Sequence, residues 1–541
     1  MTISGNIIDV RKRKIYKGIL EVDNGKICSI TSSDEVKDQY ILPGFIDAHV
    51  HVESSMLVPS EFARLAVVHG TVATVSDPHE IANVMGIEGV DYMINDGNQI
   101  NFKFFFGAPS CVPATTFETA GAHIDAQMIQ GLLGRNEIKY LAEMMNWPGV
   151  LNNDAEVLKK IQVAHDFGKP VDGHAPGLRG EDAKAYIMKG ISTDHECFTS
   201  DEARDKLKYG MNIAIREGSA AKNFDALVEL FDEKPEKLML CSDDKHPDNL
   251  VEGHINLLVK RALSKGYDLF DLLHAACILP VDHYHLEVGT LQNNDPADFI
   301  IVDHPNKLNI KQTYINGQLV AENGKSLIER VPSLVINNFS CSAINSNQIK
   351  IKSDSDNIRV IEALDGQLIT NELILPALKN GDGYVGSDTS RDILKLVMVN
   401  RYADKEPAVG FIKNFNLKKG AIASSVGHDS HNIIAVGTND KDIVSAINTI
   451  IENQGGVSAT DGNRTEVLAL PVAGLMSDQD GYEVAEAYTE IDRFAKSLGS
   501  TLQSPFMTLS FMGLLVIPQL KLSDKGLFNG NSFEFTSVSC D

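Results

Sequence analysis

Beyond Pro43, the chain alternates apolar or β-branched runs with amphipathic stretches, a pattern typical of repeated strand–helix units. Glycines stand where several of the helical stretches should end, as at Gly70, Gly168 and Gly190. Eight such units within about 200 residues predict an α/β protein with a (β/α)8 TIM-like barrel. A doubly wound sheet is the alternative that this pattern leaves open. The predicted strands are 45–52, 71–77, 101–108, 138–145, 170–174, 191–195, 211–216 and 237–243.

The segments on either side of the barrel have a different pattern, with short strands and tight turns. Asn24-Gly25, Asn316-Gly317 and Asn323-Gly324 each separate two β-prone runs, which is a strong hairpin signal. We therefore expect residues 1–42 and 285–335 to form one small β domain beside a barrel at 43–284. Residues 336–541 mix strands and helices without the barrel repeat and predict a C-terminal α/β domain, in which the apolar run 511–518 should be a buried strand.

Composition narrows the functional classes. The 541 residues carry a formal charge of −24, which disfavours the nucleic-acid backbone as a partner. Seven widely spaced cysteines, with no Cys-x-x-Cys, indicate reduced thiols rather than a disulfide framework. No apolar run is long enough for a signal peptide or a membrane span, so the sequence predicts a cytoplasmic protein without membrane contact. Large acidic enzymes of this kind are often symmetric, and we expect a homo-oligomer, with a dimer favoured.

Candidate chemistry concentrates at the ends of the predicted barrel strands, the rim where barrel enzymes carry their catalytic groups. His-x-His after the first strand places two imidazoles on one face, since residues two apart in a strand point the same way. Carboxylates and further imidazoles end four other strands. The six candidate metal ligands are His49, His51, Glu143, His174, His195 and Asp243.

Each of these residues also has an ordinary structural interpretation. Short motifs such as His-x-His recur by chance. His174 between Gly173 and Ala175-Pro176 could merely shape a turn, and His195 could be a charge-paired surface residue. Their joint occurrence at the ends of the right strands favours the metal interpretation. Nitrogen and oxygen donors without thiolate suit Mn or Fe, with Zn possible.

Six ligands exceed what one tetrahedral ion requires and suit two ions per chain, with Glu143 as the bridge. Such a pair can hold a bridging hydroxide at neutral pH. Asp243 is then the expected catalytic residue that accepts the proton of the hydroxide and passes it to a leaving group.

The amino-acid sequence around these residues resembles that of a known family. The ligand pattern is similar to that of the metal-dependent amidohydrolase superfamily, and the local sequences resemble its bacterial adenine deaminases. The resemblance covers essentially the whole chain. The matching segments begin at Pro43, Asp77, Leu141, Asp172, Thr193, Cys241 and Ser424, and read PGFIDAHVHVESSM, DPHEIANV, LAEMMNWPGV, DGHAPGL, TDHE, CSDDK and SSVGHDSHN.

This resemblance implies hydrolysis of adenine to hypoxanthine and ammonia in purine salvage, with a metal-bridged hydroxide as nucleophile and Mn or Fe as the metal. Many binuclear members of the superfamily carry a carboxylated lysine after strand four, where this chain has Glu143. That difference argues against the alternative function, cyclic amide hydrolysis of the dihydroorotase or hydantoinase kind. Mononuclear deaminases of the adenosine type lack the bridging carboxylate, so Glu143 argues against them too.

Five further residues are candidates for substrate binding. His79 and Glu80 follow strand two on the same rim, although they could simply cap the next helix. Arg216 ends strand seven, where it could contact a base edge. His428 and His431 belong to a glycine-flanked loop of the C-terminal domain. That loop could cover the active site and exclude water, or it could lie far from the chemistry.

Overall fold

The computed structural model describes residues 1–540, beginning with four strands that precede the barrel. Strands β1 and β2 pair antiparallel around the turn at 10–13, and β2 and β3 pair around Asn24-Gly25, where Asn24 and Gly25 both have positive φ angles. Type I′ geometry of this kind fits the right-handed twist of a hairpin. The strands are β1 (Thr2–Asp9), β2 (Lys14–Asp23), β3 (Lys26–Ser32) and β4 (Tyr40–Pro43).

A closed barrel of eight parallel strands follows, which confirms the predicted fold class. Strands β5 to β9 pair in sequence order, and so do β10 to β12. Parallel bridges from Val171 to Ile191 and from Val50 to Asp243 join these two sheets. The strands are β5 (Phe45–Val50), β6 (Thr71–Ser76), β7 (Lys103–Ala108), β8 (Ile138–Met144), β9 (Val171–Gly173), β10 (Thr193–Asp194), β11 (Asn212–Arg216) and β12 (Leu238–Cys241).

Helices surround the barrel and carry their apolar faces toward it, as in α11, where Ile255, Leu258, Val259 and Ala262 are buried. The helices are α1 (Pro59–Ala66), α2 (His79–Met85), α3 (Ile87–Gly97), α4 (Ala126–Leu133), α5 (Trp147–Leu151), α6 (Ala155–Asp166), α7 (Gly180–Ile187), α8 (Ser200–Lys208), α9 (Phe224–Leu227), α10 (Pro247–Glu252), α11 (Ile255–Ser264), α12 (Leu269–Leu273) and α13 (Leu279–Tyr284). Short 3-10 turns lie at Val52–Ser55, Val67–His69, Val228–Asp232 and Pro235–Lys237, and a π turn at His274–Ile278 joins α12 to α13.

The chain then returns to the first sheet. Strand β13 pairs antiparallel with β4, so segments from both sides of the barrel form one eight-stranded sheet in the order β16-β15-β14-β13-β4-β1-β2-β3. The added strands are β13 (Phe299–Val302), β14 (Ile310–Ile315), β15 (Gln318–Glu322) and β16 (Lys325–Ser326).

The C-terminal unit is built on a nine-stranded, mainly antiparallel sheet with the order β19-β18-β22-β21-β24-β23-β25-β26, and β30 pairs with β18. Its elements are β17 (Ile351–Lys352), β18 (Asn357–Ala363), β19 (Thr370–Pro376), β20 (Tyr384–Val385), β21 (Leu394–Val399), β22 (Ala408–Lys413), β23 (Ala421–Ser424), β24 (Ile433–Gly437), α14 (Asp440–Glu452), β25 (Gly456–Thr460), β26 (Thr465–Ala469), α15 (Gly481–Ser497), α16 (Pro505–Ser510), β27 (Leu520–Ser523), β28 (Gly526–Asn529), β29 (Glu534–Phe535) and β30 (Ser539–Cys540).

The apolar run 511–518 is not a strand, so that prediction was wrong. It begins with a 3-10 turn, Phe511–Gly513, which continues directly from α16, and the following residues form bends before β27. The run is largely buried, with Phe511 at 1% exposure and Ile517 at 0%. Buried turns show the same run of apolar residues as a buried strand, so the run alone does not distinguish the two.

One large apolar core runs through the barrel and into the C-terminal unit. It contains Phe45 and Leu141 from barrel strands together with Leu394 and Phe506 from the C-terminal unit. The two units are therefore packed against each other through buried side chains. None of the helices within residues 1–540 combines the length and the apolar character that a membrane crossing requires. All seven cysteines are free thiols, as the sequence predicted.

Candidate active site

The six predicted ligands lie together at the C-terminal rim of the barrel. His49 and Glu143 belong to β5 and β8, and the other four follow the ends of their strands. All six are buried, with exposures from 2% to 6%. A buried set of imidazoles and carboxylates requires partners, because an isolated charge in the interior is strongly destabilising. The sequence-predicted ligands are thus brought to one place by the closure of the barrel.

The seam where the last strand meets the first fixes three of these residues. The amide of Asp243 donates to His49 O (2.9 Å), and the amide of His51 donates to Asp243 O (3.3 Å). Just before Asp243, the amide of Ser242 donates to Asp47 Oδ1 (2.9 Å). Asp243 itself has a left-handed backbone with φ of 54°, a conformation that aspartate tolerates better than most residues. The seam therefore sets where the Asp243 carboxylate points.

His49, His51 and Asp243 form the first group of donors. Asp243 Oδ1 lies 3.5 Å from His49 Nε2 and 3.2 Å from His51 Nε2. The two Nε2 atoms are 3.2 Å apart. His51 Nδ1 lies 3.1 Å from the carbonyl oxygen of Asp77. Because a carbonyl can only accept, Nδ1 carries the proton and Nε2 presents its lone pair to the site.

Glu143, His174 and His195 form the second group. Glu143 Oε2 lies 2.8 Å from His174 Nδ1 and 3.2 Å from His195 Nε2, while its Oε1 lies 3.4 Å from His51 Nε2 in the first group. Burial alone would raise the pKa of Glu143, but the two imidazoles of its own group hold that pKa well below its usual range. Glu143 is therefore an anion with one oxygen toward each group.

The donor set fits divalent metal ions. The ligand atoms of the first group lie 3.2–3.5 Å apart, and those of the second group lie within 4.8 Å of one another. Two atoms bound tetrahedrally at about 2.1 Å would lie about 3.4 Å apart. Asp243 Oδ1 makes no hydrogen bond with any residue of 1–540, although it is buried and aimed between two imidazoles. Burial opposes protonation of His51, yet the Asp243 and Glu143 carboxylates raise its pKa well above the usual value. The two carboxylates thus favour a positive charge at this position, and a bound metal ion would supply it while His51 stays neutral with its Nε2 lone pair free.

Arg216 is placed differently from the sequence expectation of a base-edge contact. Its guanidinium forms ion pairs with both Glu196 and Asp243 Oδ2, and the side chain is only 2% exposed. It does not contribute to the lining of the cavity formed within residues 1–540. Two buried carboxylates occupy its two terminal nitrogens, so in this structure Arg216 supports Asp243 from outside the cavity.

The other four substrate-binding candidates meet beside the six predicted ligands, with His79 Nδ1 3.5 Å from Glu143 Oε1. The Glu80 carboxylate contacts His428 Nδ1 through one oxygen and His431 Nε2 through the other. His79 lies beside it, with Nε2 3.4 Å from Glu80 Oε1. Despite burial, Glu80 and Asp244 raise the pKa of His428 to about 9. The loop between β23 and β24 therefore lies against the barrel rim and brings a cationic imidazole to it.

The cavity at this rim has walls from both units. His428 and Asp429 come from the loop of the C-terminal unit, and Phe511 packs on the His428 ring with centroids 5.2 Å apart. Its full lining comprises His51, His79, Glu80, Glu143, Met145, His174, His195, Glu196, Asp243, Asp244, Leu368, His428, Asp429, Phe511 and Leu514.

Several lining residues were missed by the sequence reasoning. Glu196 and Asp244 each follow a predicted ligand directly, so the strand-end rule could have included them. Asp429 lies inside the predicted His428–His431 loop. Leu368, Phe511 and Leu514 carry no such signal, because an apolar residue in the C-terminal unit looks like any other core position.

Known proteins match this chain over its whole length. A family model described as "Amidohydrolase family" matches residues 40–320, and one described as "Adenine deaminase C-terminal domain" matches residues 367–534. The adenine deaminase of Salinibacter ruber (strain DSM 13855 / M31) is 54% identical over 542 residues, covering 100% of this chain and 99% of that protein. Those of Methanosarcina barkeri (strain Fusaro / DSM 804) and Sulfurovum sp. (strain NBC37-1) are 53% and 54% identical, and each alignment covers 99% of both chains. The similarity extends through the barrel, the flanking sheet and the C-terminal unit.

Proposed function

This chain belongs to the adenine deaminase family within the amidohydrolase superfamily, and from that premise we propose that it hydrolyses adenine to hypoxanthine and ammonia. The observation that carries the proposal is the pair of donor groups that share Glu143. Relatives of the same length and about half identical in sequence bear the same name. We assign the six ligands to two divalent ions, with Mn or Fe favoured over Zn.

In this assignment His49, His51 and Asp243 would hold one ion, His174 and His195 would hold the other, and Glu143 would contribute an oxygen to each. Two divalent ions bound there would supply hydroxide from water at neutral pH. Residues of the chain behind these ligands hold the ligand side chains in position. Asp77 orients His51 through its carbonyl, and Arg216 holds the outer oxygen of Asp243. Such outer contacts keep ligands correctly oriented.

Asp243 is the proposed proton carrier. Burial alone would raise its pKa, but Arg216, His49 and His51 hold that pKa well below its usual range. Its Oδ1 is free of hydrogen bonds within residues 1–540 and faces the ligands. As the C6–O bond forms, one proton of the attacking water goes to ring nitrogen N1, and Asp243 accepts the other and gives it to the exocyclic nitrogen. The C6–N bond then breaks, and the amino group leaves as ammonia.

Recognition of the purine is assigned to the opposite wall. Glu80 and His428 face the cavity with a carboxylate and an imidazole, which can pair with the donor and acceptor nitrogens of an adenine edge. His79 and His431 hold the Glu80 carboxylate in position. Leu368 and Phe511 form an apolar wall for the ring, and Leu514 adds to it, so that water is kept away from the ring.

The direct test measures ammonia release from adenine by Mn-loaded protein, with Glu143→Gln as the matched variant. The amide keeps the size of the side chain but loses the charge that both donor groups share. We expect activity to fall by at least about a hundredfold, more than is lost when a residue that merely orients a ligand is replaced. Metal analysis should also show that Glu143→Gln binds less metal than the wild type.

Two outcomes would contradict the proposal in different ways. Hydrolysis of dihydroorotate or hydantoin in place of adenine would keep the metal centre and replace the substrate. Full adenine turnover by Glu143→Gln would reject the bridging assignment.

We also propose a cytoplasmic setting, in purine salvage, and assembly as a homodimer. Cys28 is an exposed thiol, and such thiols stay reduced in the cytosol. Twofold symmetric dimers are the commonest assemblies of soluble enzymes, and light scattering would measure the mass in solution.

A further inference from the structure

Lys521, in β27, is a buried lysine without an acidic partner. Its side chain is fully buried, and Nζ donates to Leu368 O (2.6 Å) and Phe511 O (3.0 Å). Burial lowers the pKa of Lys521 to about 7, and no charged neighbour within residues 1–540 offsets that effect. Lys206, by contrast, is equally buried but pairs with Asp194 and Glu202. Burial of an amine without a carboxylate is unfavourable, so the two carbonyl contacts are its visible structural role.

The two carbonyls belong to residues that face the candidate active site. Leu368 precedes β19, and Phe511 begins the 3-10 turn after α16, so they are distant in sequence. Both line the cavity, and Phe511 also packs against the His428 ring. Lys521 itself is not part of the cavity lining found in residues 1–540. It contacts the backbone behind the two side chains that form the apolar wall.

We propose that Lys521 is a positioning residue that fixes the apolar wall of the substrate pocket by holding the backbone of Leu368 and Phe511 together. The proposal rests on the proposed function, because the wall is assigned to the purine ring. Without the ammonium, the Leu368 carbonyl loses its donor, the Phe511 carbonyl keeps only the amide of Leu514 (3.2 Å), and the two segments can separate. The metal ligands and Asp243 are not touched by this contact, so ring binding should suffer more than the chemical step.

The test is Lys521→Met, which removes the donor and keeps an unbranched side chain of similar length. We expect KM for adenine to rise by at least about tenfold, while kcat changes by less than about threefold. A 1.4 kcal/mol loss of ground-state and transition-state binding alike would produce this pattern. An unchanged KM in a folded but less heat-stable variant would overturn the proposal, because it would show a purely structural role.

Lys169→Met is a matched control. Lys169 Nζ also donates to backbone carbonyls, those of Leu133, Arg135 and Ile138, but near the N-terminal ends of β8 and β9, away from the ligand rim. We expect this variant to lose heat stability and to retain the wild-type KM. If KM rises as much in this variant as in Lys521→Met, general loosening of the fold explains the effect and the proposal is overturned.

Hydrogen exchange gives a readout that does not depend on the substrate. In folded Lys521→Met, amides in 366–371 and 508–515 should exchange faster than in the wild type, and Lys169→Met should leave them unchanged. Unchanged exchange would refute the contact as a positioning device. If the wild type does not deaminate adenine but exchange is still faster in Lys521→Met, the positioning role stands and the proposed function is rejected. If Lys521→Met does not fold, Lys521→Gln, whose amide can still donate to one carbonyl, carries the same measurements.

Discussion

At the residue scale, the Asp243 carboxylate shows how one side chain can be both held and available. Arg216 takes its Oδ2, while Oδ1 stays free of hydrogen bonds within residues 1–540 and faces His49 and His51. Glu196 shares the same guanidinium. A buried ion pair with this sharing is sensitive to loss of its cation, because two carboxylates are then left without compensation.

Arg216→Met tests this dependence. Loss of the guanidinium should raise the pKa of Asp243, because Arg216 is the largest of the influences that lower it. If kcat/KM requires ionised Asp243, its acidic limb should then move to higher pH. Unfolding stability should also fall by about 3 kcal/mol, as for other broken buried pairs. A pH–rate profile and a urea titration measure the two effects, and an unmoved acidic limb would contradict the role given to Arg216.

The sequence located the six ligand candidates at this scale but not the partner of Arg216. Strand ends are readable from the alternation of apolar and polar positions, and the side chains that follow them must share one rim. Whether a guanidinium at such an end turns into the cavity or beneath it depends on Glu196, which comes from another strand. That pairing exists only in three dimensions.

At the element scale, the loop between β23 and β24 connects the C-terminal unit to the barrel chemistry. His428 and His431 lie three residues apart in this loop, and both contact Glu80 at the start of α2. The motif was visible in the sequence, yet its position over the rim was one of two open alternatives. A loop motif shows which residues are available, while the packing of the two units determines what they meet.

His428→Ala tests the loop. Glu80 would lose a cationic partner and the cavity would lose one polar wall, so kcat/KM for adenine should fall by at least about tenfold. Bound metal should stay at the wild-type level, because His428 is not among the six ligands. The exposed His304 of the flanking sheet offers the matched control, and His304→Ala should behave as the wild type. Equal turnover in both variants would remove the loop from the site.

Helices and strands were predicted correctly where the length of a segment and the period of its apolar positions indicate the same structure. The eight barrel strands were found within a few residues of their observed ends, because most of them follow a helix-ending glycine or end beside a polar residue. The segment 511–518 failed because a short apolar run has no period that separates a buried strand from buried turns. The apolar wall of the cavity was missed for the same reason.

At the scale of the whole molecule, the shared core makes the barrel and the C-terminal unit one packed body. Apolar side chains of both units belong to the same buried cluster. We therefore expect a single cooperative unfolding transition in calorimetry, with metal adding stability through the rim. Removing the metal from a saturated sample with a chelator should lower the free energy of unfolding by about 3–4 kcal/mol. This is the stabilisation that a ligand gives at a few hundred times its Kd. Two separated transitions, or a melting temperature indifferent to chelation, would contradict this.

The seam at Val50 and Asp243 has a consequence for the newly made chain. Donors from β5 cannot meet Asp243 until β12 has closed the barrel, and Glu80 meets His428 only after a further 180 or so residues have been synthesised. Contacts so distant in sequence form late. A chain emerging from the ribosome would therefore hold unpaired histidines and carboxylates until about half of it has been made. Its capacity to retain metal would arise first, near the middle of synthesis, and its capacity to act on a substrate would follow only when the loop that carries His428 has been made.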